Sequence, residues 1–105
     1  MVRHGGHETS IDAADRILRG DLSKLHRAIL AAFRADDPVG YNDSELEDCA
    51  QFKGYSPSTV RKRRHELTLG VLPYLKDSGV RRPNVKRKGS LIVWELTERG
   101  RTVDP

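Results

Sequence analysis

Apolar positions recur at helical spacing through DLSKLHRAILAAFRA, where Leu22, Leu25, Ile29, Ala32 and Phe33 share one face; this predicts a core-building helix over 21–35. His26 lies one step off that stripe and is expected to face solvent. A shorter pattern precedes it. In TSIDAADRILR, Ile11, Ala14, Ile17 and Leu18 align and Gly20 closes the run, which predicts an accessory helix over 9–19. Upstream, 1–8 hold Gly5, Gly6, His4 and His7 with no apolar period, as expected of a disordered tail. The HxxH spacing of that histidine pair has no further ligand on an ordered element, so no metal site is assigned to it.

Pro38 and Gly40 interrupt the helical period. NDSELEDCAQFK then predicts a helix over 43–53, with Asn42 as N-cap and Glu45 completing a capping box. Leu46, Cys49, Ala50 and the stem of Lys53 form its inward face, which makes Cys49 a small core filler rather than a reactive thiol. Gly54 permits a turn; Ser56 is the next N-cap, and Pro57 opens a helix over 57–69, where a missing N–H costs nothing. Gly70 and Pro73 end it. The region 72–96 predicts a β-hairpin: an irregular strand over 72–82, a loop with Pro83 and Gly89, and a second strand over 90–96. In that strand Ile92, Trp94 and Leu96 alternate onto one face and Leu91 and Val93 onto the other, so Trp94 is expected to cap the core rather than stack on bases. Thr97 caps one last turn, TERGR, and 102–105 are expected to fray.

With 105 residues and 36% hydrophobic content the chain supports one small α+β core. No apolar run approaches a membrane span, and the polar start lacks an apolar signal-peptide stretch, so a cytoplasmic protein with no membrane partner is expected. A single cysteine excludes an intrachain disulfide. The net charge of +4 conceals an asymmetry: 1–50 carry six Lys/Arg against ten Asp/Glu, whereas 51–105 carry thirteen against five. A basic half of that kind suits a polyanion, with the acidic half keeping the opposite face of the molecule away from it. Within the basic half, SPSTVRKRRHEL sets Arg61, Lys62, Arg63 and Arg64 in succession. Val60 and Leu67 lie within about 20° of each other on this helix and turn inward, Arg63 and Arg64 flank them with stems packed and heads outward, and Ser58, Arg61, Lys62 and His65 point away. Four adjacent cations repel one another by a few tenths of a kcal/mol per pair, so local helix stability does not explain them, whereas an anionic partner does.

The order helix, helix, turn, basic helix, hairpin is that of a winged helix-turn-helix. GYNDSELEDC, SPSTVRKRRHEL, SGVRR and VWELTERGR together resemble the small winged-helix DNA-binding proteins of bacteriophage genomes, and TSIDAADRI resembles their leading segment, so the likeness spans 9–101. It implies three core helices with an accessory N-terminal helix and a C-terminal two-stranded wing. It also implies double-stranded DNA binding, with phage transcription control or another DNA transaction, in the host bacterial cytoplasm, as the expected role. A helix of this class presents its N-terminal part to base edges in the major groove. Ser56, Ser58, Thr59, Arg61, Lys62 and Arg63 are the candidates there, Arg61 and Lys62 for guanine, with His65 a turn further on against the backbone. Arg81, Arg82, Lys86, Arg87 and Lys88 form the wing's basic cluster, for phosphates or an adjacent minor groove. Paired half-sites make a homodimer possible, with 9–19 as a candidate contact surface.

Two alternatives accompany this reading: a protein-interaction module for an acidic host or phage partner, and a non-specific architectural DNA binder. Enzyme chemistry finds no anchor, since GxxxxGK[ST], HExxH and GxSxG are all missing and no cofactor motif is present. Asp36, Asp37, Glu45, Glu47 and Asp48 are expected to be solvated carboxylates.

Overall fold

The computed structural model describes residues 22–103; the expected tail over 1–8 and accessory helix over 9–19 lie outside the described residues. The first helix, α1 (Lys24–Ala35), follows the apolar period, with Leu25, Ile29, Leu30, Ala32 and Phe33 buried. Its N-cap is Ser23, and the residue that completes the capping box is His26 in place of the usual Glu or Gln. His26 is therefore buried, not solvent-facing: the backbone N–H of Ser23 donates to Nδ1 at 3.0 Å, and Nε2 meets Glu66 Oε1 at 2.7 Å. With Nδ1 accepting, Nε2 carries the proton and donates to Glu66. Burial holds the imidazole pKa below its ordinary 6.5, against the opposing pull of Glu66.

Helix α2 (Asp43–Glu47) begins at Asn42 with the expected capping box, Asn42 Oδ1 accepting from Glu45 N and Glu45 Oε1 from Asn42 N, each at 2.8 Å. It ends after five residues, well short of 53. Cys49 is extended (φ −64°, ψ 141°), and a 3₁₀ turn follows over Ala50–Phe52. That break rotates the downstream chain, so Phe52 enters the core while Ala50 and Lys53 are exposed, reversing the inward placement expected for the latter two. Cys49 packs half-buried against the core, its Sγ directed at the Glu45 carbonyl.

Helix α3 (Pro57–Glu66) starts as expected, Ser56 Oγ accepting from Thr59 N with Pro57 at the first position. It stops at Glu66, and a closing turn through 67–69 bonds back to the carbonyls of 64–66. Strands β1 (Leu75–Pro83) and β2 (Ser90–Leu96) pair antiparallel, with a register shift between Asp77 and Arg81. Trp94 and Leu96 pack toward the core cluster, as the alternation predicted; Val93, on the opposite face, is buried as well. The cause is a further edge contact. Tyr41 bridges Trp94 through both backbone bonds, and Gly40, at φ 73°, approaches so closely that a Cβ there would collide with the Trp94 carbonyl oxygen.

Thr97 caps a last helix, α4 (Glu98–Thr102), and Val103 packs against the core, so the ordered fold extends past 101. Four α-helices and a two-stranded antiparallel hairpin thus form a compact α+β domain among the described residues. Its centre is Ile29, Leu30, Phe33, Leu46, Phe52, Val60, Leu67, Tyr74, Leu75 and Leu96, each almost fully buried. A side chain buried to that degree contributes roughly 1.5–3 kcal/mol. No helix among the described residues is long and apolar enough to cross a membrane.

Candidate nucleic-acid interface

Helix α3 offers few apolar atoms to the core: Val60 turns inward, as does Leu67 just beyond its end, each 1% exposed or less. Ser58, Arg61, Lys62 and His65 lie exposed, as the helical spacing predicted. The other cations behave differently. Arg64 is buried, its Nε and Nη2 donating to the two Asp43 oxygens at 2.7 Å each, with the guanidinium 4.4 Å above the Trp94 ring. Its Nη1 has no hydrogen-bond partner. The expectation that the Arg64 head points outward is therefore wrong, because a carboxylate at the start of α2 and an aromatic face on β2 draw it in. Arg63 is half-buried and donates through Nη1 to Glu66, the carboxylate that also receives His26.

The hairpin loop is docked onto α2 by the polar groups of that helix's N-terminus. Asn42 Nδ2 donates to the Pro83 carbonyl at 3.1 Å, and Val85 N donates to Ser44 Oγ at 3.2 Å. The loop folds on itself through Asn84, whose N–H donates to the Gly89 carbonyl and whose Oδ1 accepts from Lys86 N, both at 2.8 Å. Glu47, with a side chain only 3% exposed, accepts from Arg61 Nε through Oε2 and from Lys86 Nζ through Oε1, each at 3.0 Å. It is thus not a solvated carboxylate. A cleft of about 360 Å³ opens beside it, lined by Arg61 from α3, by Asn84, Lys86 and Arg87 from the hairpin loop, and by Glu47 and its α2 neighbours.

Of the twelve residues singled out in the sequence, Arg61, Lys86 and Arg87 share this cleft, and Ser58, Lys62 and His65 line a shallow hollow of about 330 Å³ along the same helix. Ser56 and Thr59 bond each other, Oγ to Oγ1 at 2.7 Å, as part of the cap. Arg81 pairs with Asp77 on its own strand and lines a separate cleft with Arg64 and Trp94. Arg82 belongs to the scaffold: it donates to the Gly40 carbonyl at 2.9 Å and to Glu45 at 2.8 Å. Among the described residues, Lys62, Arg87 and Lys88 make no ion pair.

The acidic α2 does not occupy a face remote from the basic elements; it lies between them. Asp43, Glu45 and Glu47 each neutralise a cation of α3 or the hairpin. Those three carboxylates were missed as site residues because nothing in a local sequence pattern pairs Glu47 with Arg61, fourteen positions on, or with Lys86. No group of three or more His, Cys, Asp or Glu side chains among the described residues is assembled to hold a metal ion. No protein family model, curated protein or solved structure matches the chain.

Proposed function

We propose that the chain is a double-stranded DNA-binding protein of the winged helix-turn-helix kind, with α3 entering the major groove and the wing loop lying on phosphates or in an adjacent minor groove. The supporting observation is the shared cleft: Arg61 on α3 faces Lys86 and Arg87 on the wing loop, so two basic clusters far apart in sequence border one surface. A single α-helix fits the B-DNA major groove, and cations beside it meet the flanking phosphates. Ser58, Arg61 and Lys62 are assigned to base edges, and His65, Lys86, Arg87 and Lys88 to the backbone. Arg82 is withdrawn from the interface, since its guanidinium is committed to Glu45 and the Gly40 carbonyl. Phage transcription control or another DNA transaction, in the host cytoplasm, is the role proposed for that binding.

Internal pairing lowers the number of phosphate contacts available to about four to six, and affinity is then expected to fall about a hundredfold to a thousandfold between 50 and 200 mM salt. Fluorescence anisotropy on a labelled duplex measures this, and binding indifferent to salt contradicts the proposal. Selection from a randomised duplex pool supplies the preferred site, and its single or palindromic form reports whether one copy or a homodimer binds. On that site Arg61→Ala is expected to cost about 1–3 kcal/mol of preference at one base pair, whereas Lys88→Ala weakens all sequences alike. A pool that enriches no motif while still binding with a steep salt slope favours the architectural alternative.

A further inference from the structure

Arg61 meets Glu47 through Nε, not through either terminal nitrogen, and its side chain remains 52% exposed while Glu47 is 3% exposed. A guanidinium is planar, so holding Nε against a buried carboxylate limits how the group can turn and leaves the Nη1 and Nη2 edge pointing away from the anchor. That edge is the pair of parallel N–H donors that guanine O6 and N7 accept. The other Glu47 oxygen holds Lys86, which ties the wing loop to the same carboxylate.

We propose that Glu47 is a specificity-determining positioning residue, holding the Arg61 guanidinium by its Nε so that Nη1 and Nη2 reach a guanine as a preset fork, with the wing loop fixed beside it through Lys86. The inference rests on the DNA-binding function proposed above. Its physical basis is preorganisation. An untethered surface arginine loses rotamer freedom when it docks on a base, whereas Arg61 has lost that freedom on folding. A carboxylate beside a DNA-facing cleft repels phosphates, so simple charge balance alone predicts that neutralising Glu47 raises affinity for all sequences alike and leaves discrimination unchanged.

The test uses the full chain, the duplex it selects from a randomised pool, and the same duplex altered at the base pair where Arg61→Ala loses preference. Glu47→Gln keeps the shape and removes the charge. It is expected to lower discrimination at that base pair about tenfold, the scale of one bidentate contact, while affinity for random duplex is unchanged or raised. On an Arg61→Ala background it is expected to add no further loss of discrimination, because the two residues act through one contact. Glu47→Asp, which keeps the charge but draws the carboxylate back from Nε, is expected to lose discrimination without gaining affinity, and it serves if the Gln variant fails to fold. Lys86→Ala is expected to weaken binding to all sequences while keeping preference at the Arg61 base pair.

The inference is overturned if the Glu47 variants retain full discrimination, or if the losses from Glu47→Gln and Arg61→Ala add. A wild-type chain that discriminates, alongside a Glu47→Gln variant that does so equally, removes this inference and leaves DNA binding standing. A wild-type chain that binds no duplex removes both.

Discussion

Helices α1 and α3 are neighbours built on different physics. Helix α1 turns Leu25, Ile29, Leu30, Ala32 and Phe33 into the core, and its position follows from apolar burial. Helix α3 buries Val60, Arg64 and Glu66, so two of its three buried residues are charged. It is held by directional links: Arg64 to Asp43, Arg61 to Glu47, and Glu66 to His26 on α1. A helix that turns so few apolar side chains inward has little apolar area for its own attachment, and the His26 imidazole on α1 and the carboxylates of α2 take over that task. The cations are therefore of two kinds. Arg64 and Arg82 stabilise the fold, while Lys62, Arg87 and Lys88 have no ion pair among the described residues and remain available.

The contrast can be broken first on the apolar side. Phe33→Ala empties a site that is 1% exposed and removes an edge-to-face contact with Tyr41 at a centroid distance of 5.1 Å. It is expected to cost about 3–5 kcal/mol in chemical denaturation, whatever the salt concentration.

On the polar side, Asp43→Ala strands Arg64, whose side chain is only 7% exposed, and is expected to cost about 3 kcal/mol. Adding Arg64→Met is expected to recover most of that loss, because the penalty comes from an unpaired buried charge rather than from a missing attraction. A double variant no better than Asp43→Ala alone shows that Arg64 contributes through packing on Trp94 instead.

A smaller effect belongs to His26, the link between the two helices. Its folded pKa lies below 6.5, so the unfolded chain binds the proton more readily and stability falls as the pH drops below about 6.5 toward the folded value. Thermal melts between pH 7.5 and 5 are expected to show a declining midpoint, and His26→Gln, which cannot take up the proton, is expected to flatten that part of the decline. Glu66 and Arg63 face the imidazole and are retained in both proteins.

The same contrast explains what the sequence made legible. Helix α1, strand β2 and the caps at Asn42, Ser56 and Thr97 follow from short-range patterns: apolar spacing, alternation, and a side-chain oxygen within three residues of a free N–H. The links around α3 join residues 14 to 40 positions apart, and no local period records them. His26 was misplaced for that reason: one step off an apolar stripe suggests solvent, but Ser23 and Glu66 supply partners for both ring nitrogens. Its S-x-x-H spacing from Ser23 was the available signal, a capping box with histidine in the reciprocal position. The early end of α2 had no comparable cue, since the break at Cys49 serves to bring Phe52 rather than Lys53 into the core.

The run of four cations is likewise half explained from within. Glu47, Glu66 and Asp43 offset Arg61, Arg63 and Arg64, so mutual repulsion in that helix is relieved without any partner. What remains without an ion pair among the described residues is Lys62 and, on the hairpin loop, Arg87 and Lys88, beside the open edge of Arg61.

The most direct test of this division is an amide chemical-shift map of the uniformly labelled chain titrated with a duplex at low salt. The account predicts that the largest changes fall on 58–65 and 84–89 together, with the α1 amides and the exposed Val71 and Leu72 nearly unmoved. Changes confined to one of the two basic segments, or centred on Val71 and Leu72, contradict a single surface formed by α3 and the wing.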